Sequence, residues 1–501
     1  MPEAIADLLM SMGEDFSSSL EATPMSSHAT LAPVGYTGFR WATQIDPIWN
    51  AYLLGLVLSL AERIEDARIP KSERKIFSYR YEGDSDRLFE LDGWTRFQSR
   101  SRELAEQYPY VVTADIADFY PRLYHHRIEN ALQAVDTSGA RRRNVMKILG
   151  KISNSASYGL PVGGPAARML SELTINEIDL LMEAERGESE FCRFADDYRM
   201  FVRDVPTAYR MIGSLSDKLH SNQGLSLQKS KTAIYPADEY LSILDPPEPA
   251  EGSAAKFLSL HLHFDPYSET PVEDYDRLRN QLEQFDILDL LRRELVKGQV
   301  HASVTKKLVK ALRFLDEGSR ELAIRSLLDE GNFERLAPVM PHVLMSIHSS
   351  LEGLSRDFAL YVASEIRRRI DADHYIVRIE LNLAYMIRVL STVYAKESEL
   401  LLIRLFNQPH GFRSAPSPVI QRDIMLLLAR WGARYWVTNQ RSQFQHAHPW
   451  VRRAFEVASF TLEDEGRHWR QGQRRALPAY DQIVLEWASE RINQPGWEIP
   501  L

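Results

Sequence analysis

Phe194-Ala195-Asp196-Asp197 constrains this chain more than any other stretch, because it sets two adjacent carboxylates between short runs rich in aromatic and apolar residues, Phe191 to Phe194 and Tyr198 to Val202. Asp favours tight turns, whereas Phe, Tyr and Val favour strands, so the pattern predicts a hairpin with both acids at its bend. Adjacent anions in a fixed turn repel each other and keep their charge most readily beside a cation. Mg²⁺, a hard ion that prefers oxygen ligands, suits them. A solvated turn is the plainer reading of an isolated Asp-Asp pair.

A second acidic feature lies upstream. Tyr110-Val111-Val112-Thr113-Ala114-Asp115-Ile116 reads as a strand ending at Asp115, and the chain then turns at Ala117-Asp118 into a helix running through Ile128, Leu132 and Val135. Asp115 either caps that helix or supplies a third carboxylate, and Asp118 is the better capping candidate. A strand-end Asp facing an Asp-Asp bend is suited to two Mg²⁺ ions roughly 4 Å apart, the arrangement that activates an attacking hydroxyl and neutralises a leaving pyrophosphate. The expected chemistry is nucleotidyl transfer.

Three ordered segments resemble those of reverse transcriptases. Asp115-Ile116-Ala117-Asp118-Phe119-Tyr120 looks like motif A, Gly159-Leu160-Pro161-Val162-Gly163-Gly164-Pro165 like motif B, and Phe194-Ala195-Asp196-Asp197 like motif C. Gly224 to Thr232 is similar to motif D, and Ile69 to Arg80 resembles the basic finger strands, so the likeness covers roughly residues 50 to 245. Phe194 stands where Tyr is usual and Gln228 where Asn is commoner; neither departure removes a metal ligand.

The resemblance implies catalytic Asp115, Asp196 and Asp197, with Ile116 joining them in a site for two Mg²⁺ ions. It also implies nucleotide contacts from Lys71, Arg74, Tyr120, Gly159, Pro161, Gly163 and Lys231. Tyr120 matches a steric gate whose ring excludes a 2′-hydroxyl, though its large apolar body equally suits a packed core position. The glycine- and proline-rich loop before the helix from Ala166 to Leu181 allows close backbone approach and presents N–H groups, or is simple punctuation. Lys71 and Arg74 supply cations for a triphosphate, as a point charge and a fork respectively. Lys231 resembles the motif D lysine that protonates the leaving group, with a surface lysine as the alternative.

Bulk properties narrow the class. A chain of 501 residues, 44% hydrophobic, buries large cores, and its single cysteine, Cys192, has no intramolecular disulfide partner and reads as a small buried hydrophobe. The start Met1-Pro2-Glu3-Ala4 lacks signal-peptide character, and the apolar run Ala51 to Ala61 is too short to span a bilayer, which predicts a core helix and a cytoplasmic protein without membrane contact. Net charge is −9 and the pI about 5.9, which argues against extensive generic duplex binding. Arg141-Arg142-Arg143, Lys306-Lys307 and Arg367-Arg368-Arg369 are local basic clusters for a product channel, or solvated helix faces. His125-His126 and His446 with His448 lack zinc-site spacing and suit capping or surface roles.

The expected organisation is an N-terminal arm (1–45, with 12–45 extended or mobile), reverse-transcriptase-like fingers and palm (46–245), and a helical C-terminal domain (246–501). Asp245-Pro246-Pro247-Glu248-Pro249 reads as a linker, followed by a short mixed stretch through Phe264. Beyond it, stripes at Leu278, Leu282, Phe285 and Leu288, at Val304, Leu308, Leu312 and Leu315, and at Val343, Ile347, Leu351 and Leu354 have helical period. Further apolar residues recur at Phe455, Val457 and Phe460. The predicted fold class is α+β with an all-α domain resembling HEAT repeats.

A Phe-x-Asp-Asp palm joined to a long helical region resembles the abortive-infection (Abi) polymerases of bacteria and their prophages, including the prophage-encoded branch. Phe119 to His126 and Leu160 to Glu172 carry the likeness. It implies DNA synthesis from deoxynucleoside triphosphates without a template, a single-stranded product covalently attached to a Tyr, homo-oligomers, and defence against phage in the bacterial cytoplasm. Tyr36, flanked by Gly35 and Gly38, is a conceivable priming residue, with a structural tyrosine as its alternative. Two rival readings stand beside this one: a template-directed RNA-dependent DNA polymerase of retron or group II intron type, and a non-enzymatic helical-repeat protein that senses phage.

Overall fold

The structure, a computed structural model, describes residues 1–36, 38–83, 87–244, 256–257, 260 and 278–501. The expected linker at Asp245 to Pro249 and most of the stretch through Phe264 lie outside the described residues. The chain forms two compact units, one from Leu9–Ser27 and Thr43–Pro247, the other from Met1–Leu8, His28–Ala42 and Glu248–Leu501.

Near the N-terminus the chain forms α1 (Pro2–Glu14), α2 (Phe16–Ala22) and a two-stranded sheet of β1 (Ser27–Val34) and β2 (Gly38–Ile45). Residues 12–45, expected to be an extended arm, are thus largely regular structure. The physical reason is local: Asp15 caps α2 by accepting from the Ser18 backbone N–H at 3.1 Å, and Phe16 packs against Trp49 and Tyr52 with centroids 5.9 and 5.8 Å apart. Short helices punctuated by serines leave little periodicity to read.

The first unit continues with α3 (Pro47–Leu58), α4 (Ala61–Ala67), α5 (Gly93–Ala105), β3 (Tyr110–Asp115), α6 (Phe119–Arg122), α7 (His125–Val135), α8 (Ala140–Ile152) and α9 (Pro165–Glu185). It ends with β4 (Glu190–Phe194), β5 (Asp197–Val202), α10 (Val205–Lys218), β6 (Ala233–Pro236) and α11 (Ala237–Leu244). The apolar run from Ala51 enters α3, which buries Trp49, Leu53 and Val57 and packs on α8 and α9. No helix among the described residues is long and apolar enough to cross a membrane.

The four strands form one sheet in the order β4-β5-β3-β6, every neighbouring pair antiparallel. Alternation along the strands divides its residues between two faces. Val111, Cys192 and Phe201 join Phe97 of α5 and Tyr240 of α11 in one apolar cluster, while α10 packs on β3 and β5 and against α9. Both faces are therefore covered, which holds the strand ends still. Cys192 is fully buried, and burial pushes its thiol up to about 12.

In the second unit, Ile287–Leu295 (α12), Ala302–Ala311 (α13), Glu317–Leu328 (α14), Glu330–Arg335 (α15), Met340–Ser350 (α16), Arg356–Asp371 (α17) and Glu380–Leu390 (α18) follow one another. Lys396–Leu405 (α19), Pro418–Arg430 (α20), Arg434–Gln440 (α21), Pro449–Ala458 (α22), Glu463–Gln473 (α23) and Ala479–Arg491 (α24) complete it. Helices α13, α16, α18, α20, α22 and α24 each pack on the next in that series, whereas α17, α19 and α21 pack on α18, α20 and α22 respectively. The predicted stripes supply this core: Leu282, Leu308, Leu312, Val343, Ile347 and Phe455 are all buried. Of the basic clusters, Arg369 is buried against the Phe333 ring, and Arg367 donates to Ser398 Oγ at 2.9 Å.

Burial without a partner marks Glu456 on α22: neither carboxylate oxygen has a hydrogen bond. Burial first, then the charge of Asp481, raises its pKa well above the ordinary value, with Arg453 and Arg452 opposing. A carboxyl whose proton is held more tightly folded than unfolded makes folding less favourable as pH rises from the unfolded value through the folded one. The urea midpoint of the protein should therefore fall as pH rises above the ordinary carboxylate range, and Glu456→Gln should flatten that decline.

Candidate active site

Tertiary register brings the three acids together. β3 and β5 align Asp115 opposite Asp197, and Phe194 pairs with Asp197 across the β4–β5 hairpin, leaving Ala195 and Asp196 as a two-residue turn. Directly opposed residues of an antiparallel pair share one face with Cβ atoms about 5 Å apart. Ala195 takes φ +53°, a left-handed backbone that costs a residue with a Cβ about 1–2 kcal/mol. Its carbonyl accepts from Arg193 Nη1 at 2.8 Å. The backbone N–H of Ile116 donates to the Asp196 carbonyl at 3.0 Å, that of Gln228 to Asp115 at 2.7 Å, and that of Ala117 to Ser226 at 2.9 Å. The ends of motifs A, C and D are thus laced through main-chain bonds, which do not depend on side-chain identity.

Electrostatics at this junction are unbalanced. Asp115 is buried, and Lys231 Nζ meets its Oδ2 at 2.8 Å; that hydrogen bond raises the lysine pKa, aided by the charges of Asp115, Asp197 and Asp196. Asp196 is shifted up, first by burial and then by the like charges of Asp115 and Asp197. Arg199 Nη1 lies 3.4 Å from Asp197 Oδ1. Among the described residues, no three His, Cys, Asp or Glu side chains close by themselves into a metal cage. Mg²⁺ rarely needs one, since it commonly binds through one or two carboxylates plus substrate phosphates. An oxygen-donor set in which one carboxylate ionises reluctantly, through burial and then through its acidic neighbours, fits that ion. Beside Asp197 opens a cleft of about 500 Å³, lined by Trp94, Gln98, Thr113, Arg199 and Lys231 among others, within the range that encloses a small ligand.

The remaining predicted residues divide into two groups. Tyr120 packs on Phe119 at 5.3 Å, and burial, then Tyr79, raises its hydroxyl pKa. Its carbonyl accepts from the Leu160 N–H at 2.9 Å, and the Gly159 N–H donates to Leu123 at 2.8 Å, so the motif B loop is sewn to the segment after Asp115. His125 Nε2 adds a bond to the Gly159 carbonyl at 3.0 Å, which gives this histidine an internal structural role. Gly159 and Gly163 take φ +100° and +105°, where a side chain is strained; Pro161 between them is half-buried. Lys71 and Arg74, by contrast, are paired elsewhere: Lys71 Nζ lies 2.8 Å from Glu90 and donates to the Tyr81 carbonyl at 2.9 Å, and Arg74 meets Glu103 at 2.7 Å. Asp118 begins α6 at φ +48° without a side-chain cap bond and instead lies 3.4 Å from Arg122, because a left-handed residue cannot aim its carboxylate at the helix N–H groups.

Sequence reasoning missed the ionic group behind the turn. Arg193 is fully buried and forks onto Asp179 at 2.8 and 2.6 Å and onto Glu172 at 3.2 and 2.9 Å. Arg68 Nη2 and Ser78 Oγ also reach Glu172, at 2.6 and 2.7 Å, and Tyr198 OH donates to Asp179 at 2.9 Å. A signal existed: an arginine inside an apolar strand, and two acids seven residues apart on one face of a mostly apolar helix.

Residues 69–262 match the family model for reverse transcriptase (RNA-dependent DNA polymerase). This segment contains the Asp115, Asp196 and Asp197 junction, and the protein is a nucleotidyltransferase with a reverse-transcriptase-type polymerase domain. Such domains generally use divalent metal ions and act on nucleotides and nucleic acid. No curated protein matches the chain. Among solved structures, apo telomerase from Candida tropicalis is similar at 10% identity and a TM-score of 0.33, covering 68% of this chain and 72% of that one. Telomerase from Candida albicans in complex with a TWJ fragment of telomeric RNA is similar at 11% identity and a TM-score of 0.31, covering 77% and 67%.

Because the raised Asp196 pKa makes the metal-free fold lose stability as pH rises through it, Asp196→Asn should raise the metal-free unfolding temperature at pH 8. The parent protein should gain thermal stability on adding Mg²⁺, more at pH 8 than at pH 5, and Asp196→Asn should lose that gain. Differential scanning calorimetry with and without Mg²⁺ measures both.

Proposed function

We propose that this chain is a Mg²⁺-dependent DNA polymerase of reverse-transcriptase type that extends DNA without a template from a protein hydroxyl, acting in abortive-infection defence against phage in the bacterial cytoplasm. The observation that carries the polymerase reading is the register of Asp115 opposite Asp197, with Asp196 held on the β4–β5 turn and Lys231 beside Asp115. Asp115, Asp196 and Asp197, with the main chain at Ile116, are the groups suited to hold two Mg²⁺ ions. When bound, these ions lower the pKa of the attacking hydroxyl and neutralise charge on the triphosphate.

The chain's own residues supply the rest. The covered sheet fixes the acids, and the 2.8 Å contact of the Lys231 ammonium with Asp115 supports reading this lysine as the proton donor to the leaving group. Tyr120 is the candidate sugar gate, and the backbone around Gly159, Pro161 and Gly163 is the candidate surface for the nucleotide. Lys71 and Arg74 would contact phosphate only by exchanging Glu90 and Glu103 for it.

The finer parts of the reading rest on the Abi resemblance: template independence, a Tyr-linked single-stranded product, homo-oligomers, the phage context and a HEAT-like helical domain. The net charge of −9 is compatible with them, since a protein primer reduces the need to clamp a duplex. Tyr36 is a weak candidate for that primer: its hydroxyl donates to the Arg335 carbonyl at 3.0 Å and accepts from the Val300 N–H at 2.5 Å. Template-directed synthesis is the second reading, favoured by the match to RNA-dependent DNA polymerases.

Purified protein incubated with Mg²⁺ and each labelled deoxynucleoside triphosphate, without template or primer, tests these readings on denaturing gels run before and after proteinase digestion. Label that travels with polypeptide until digestion is the expected result. Product made only when RNA is added, and complementary to it, overturns template independence; no incorporation under either condition overturns the polymerase. Asp196→Ala with Asp197→Ala should cut incorporation by more than about a hundredfold with the fold intact by circular dichroism. Tyr120→Ala should raise ribonucleotide use relative to deoxyribonucleotide use by about tenfold in competition assays.

A further inference from the structure

Arg193 is fully buried, and all five of its N–H donors have acceptors. Four go to Asp179 and Glu172, which is all that mutual neutralisation requires. The fifth leaves the ionic group and goes from Nη1 to the Ala195 carbonyl at 2.8 Å, at the one residue of the Asp-Asp turn with a positive φ. The backbone of Arg193 is pinned as well: its N–H donates to the Lys75 carbonyl at 2.8 Å, and its carbonyl accepts from the Phe77 N–H at 3.0 Å. Glu172 in turn is shared with Arg68 and Ser78. The segment from Arg68 to Ser78, helix α9 and the turn therefore converge on a single guanidinium.

We infer that Arg193 is a positioning residue for nucleotidyl transfer: its contact with the Ala195 carbonyl holds the left-handed backbone there and so sets the direction in which Asp196 presents its carboxylate. The inference rests on the polymerase reading above. Without the contact, Ala195 relaxes toward the negative φ that a residue with a Cβ prefers, and the next residue, Asp196, swings with it. Lysine cannot substitute, because it offers a point charge with three donors in place of a planar fork with five.

Arg193→Lys is the first test. It keeps a cation between Glu172 and Asp179, yet kcat should fall by about a hundredfold through misplacement of the acid, with KM for the nucleotide changing less than about threefold. Ala195→Gly introduced into Arg193→Lys should recover about tenfold, because glycine takes positive φ without steric cost; in the parent background the same change should give no comparable gain. Amide hydrogen exchange at Asp196 and Asp197 should quicken by about tenfold in Arg193→Lys, with α9 protected as in the parent.

Should Arg193→Lys fail to fold, Arg193→Met with Asp179→Leu and Tyr198→Phe replaces the buried pair and the hydroxyl bonded to it by apolar groups and leaves Glu172 with Arg68 and Ser78, a kind of exchange that stable proteins often tolerate. The same kcat loss and the same rescue by Ala195→Gly are expected there. Activity within about threefold of the parent, an equal effect of Ala195→Gly in both backgrounds, or exchange that rises equally along α9 would each overturn the inference. A parent protein that incorporates no nucleotide defeats the polymerase reading instead, and the exchange measurement still decides what Arg193 holds.

Discussion

The buried fork of Arg193 onto Glu172 and Asp179 is the interaction on which the geometry of this site depends. Taking three charges out of water is costly, and only dense pairing and hydrogen bonding repay it; removing one partner of such a group typically costs about 3–5 kcal/mol. The pairing here is dense. Burial alone would raise Glu172, but the guanidiniums of Arg193 and Arg68 outweigh it and hold the carboxyl low, while burial lifts Asp179 despite Arg193. Arg193 itself stays charged, because the fields of both acids exceed its desolvation. Since β4, α9 and the segment from Arg68 to Ser78 all contribute, the hairpin that carries Asp196 has little freedom to shift without breaking bonds that water cannot replace.

In front of that group the chain does the opposite and leaves charge unbalanced. Asp115, Asp196 and Asp197 meet at the ends of β3 and β5 with Lys231 beside Asp115, and Asp196 resists ionisation because of its burial first and the like charges of its neighbours second. A left-handed alanine at the turn adds to the cost. Strain and like charge at one spot, supported by a saturated ionic group a few residues away, is the pattern of a site that gives up stability for function. The neighbouring cleft opens beside Asp197, and the motif B loop is tied to Tyr120 and Leu123 through Leu160 and Gly159.

The helical unit is organised by a different rule. Its helices pack in series, each burying an apolar stripe against the next. His28 of β1 joins this unit through Glu380 Oε2 at 2.6 Å and Ser417 Oγ at 3.1 Å. Burial works against the Glu380 charge, but His28 holds its pKa below the usual carboxylate value. The strands of residues 27–45 pair with each other, and His28 ties the first of them to helices far along the chain.

The sequence by itself determined the local elements and the chemistry they carry: the strand to Asp115, the Asp-Asp hairpin, the helix after Gly164, the buried Cys192 and the helical stripes downstream. Each of these depends on a period or a turn preference spanning a few residues, which is what a single sequence displays. Only the tertiary structure decided that Asp115 stands opposite Asp197, that Lys231 pairs with Asp115 while Lys71 and Arg74 pair with Glu90 and Glu103, and that Arg193 is buried between two acids of α9. Which carboxylate a cation meets depends on strand register and helix packing over separations of up to 116 residues, and the Coulomb and desolvation energies that select the pairing exist only once those groups share one interior.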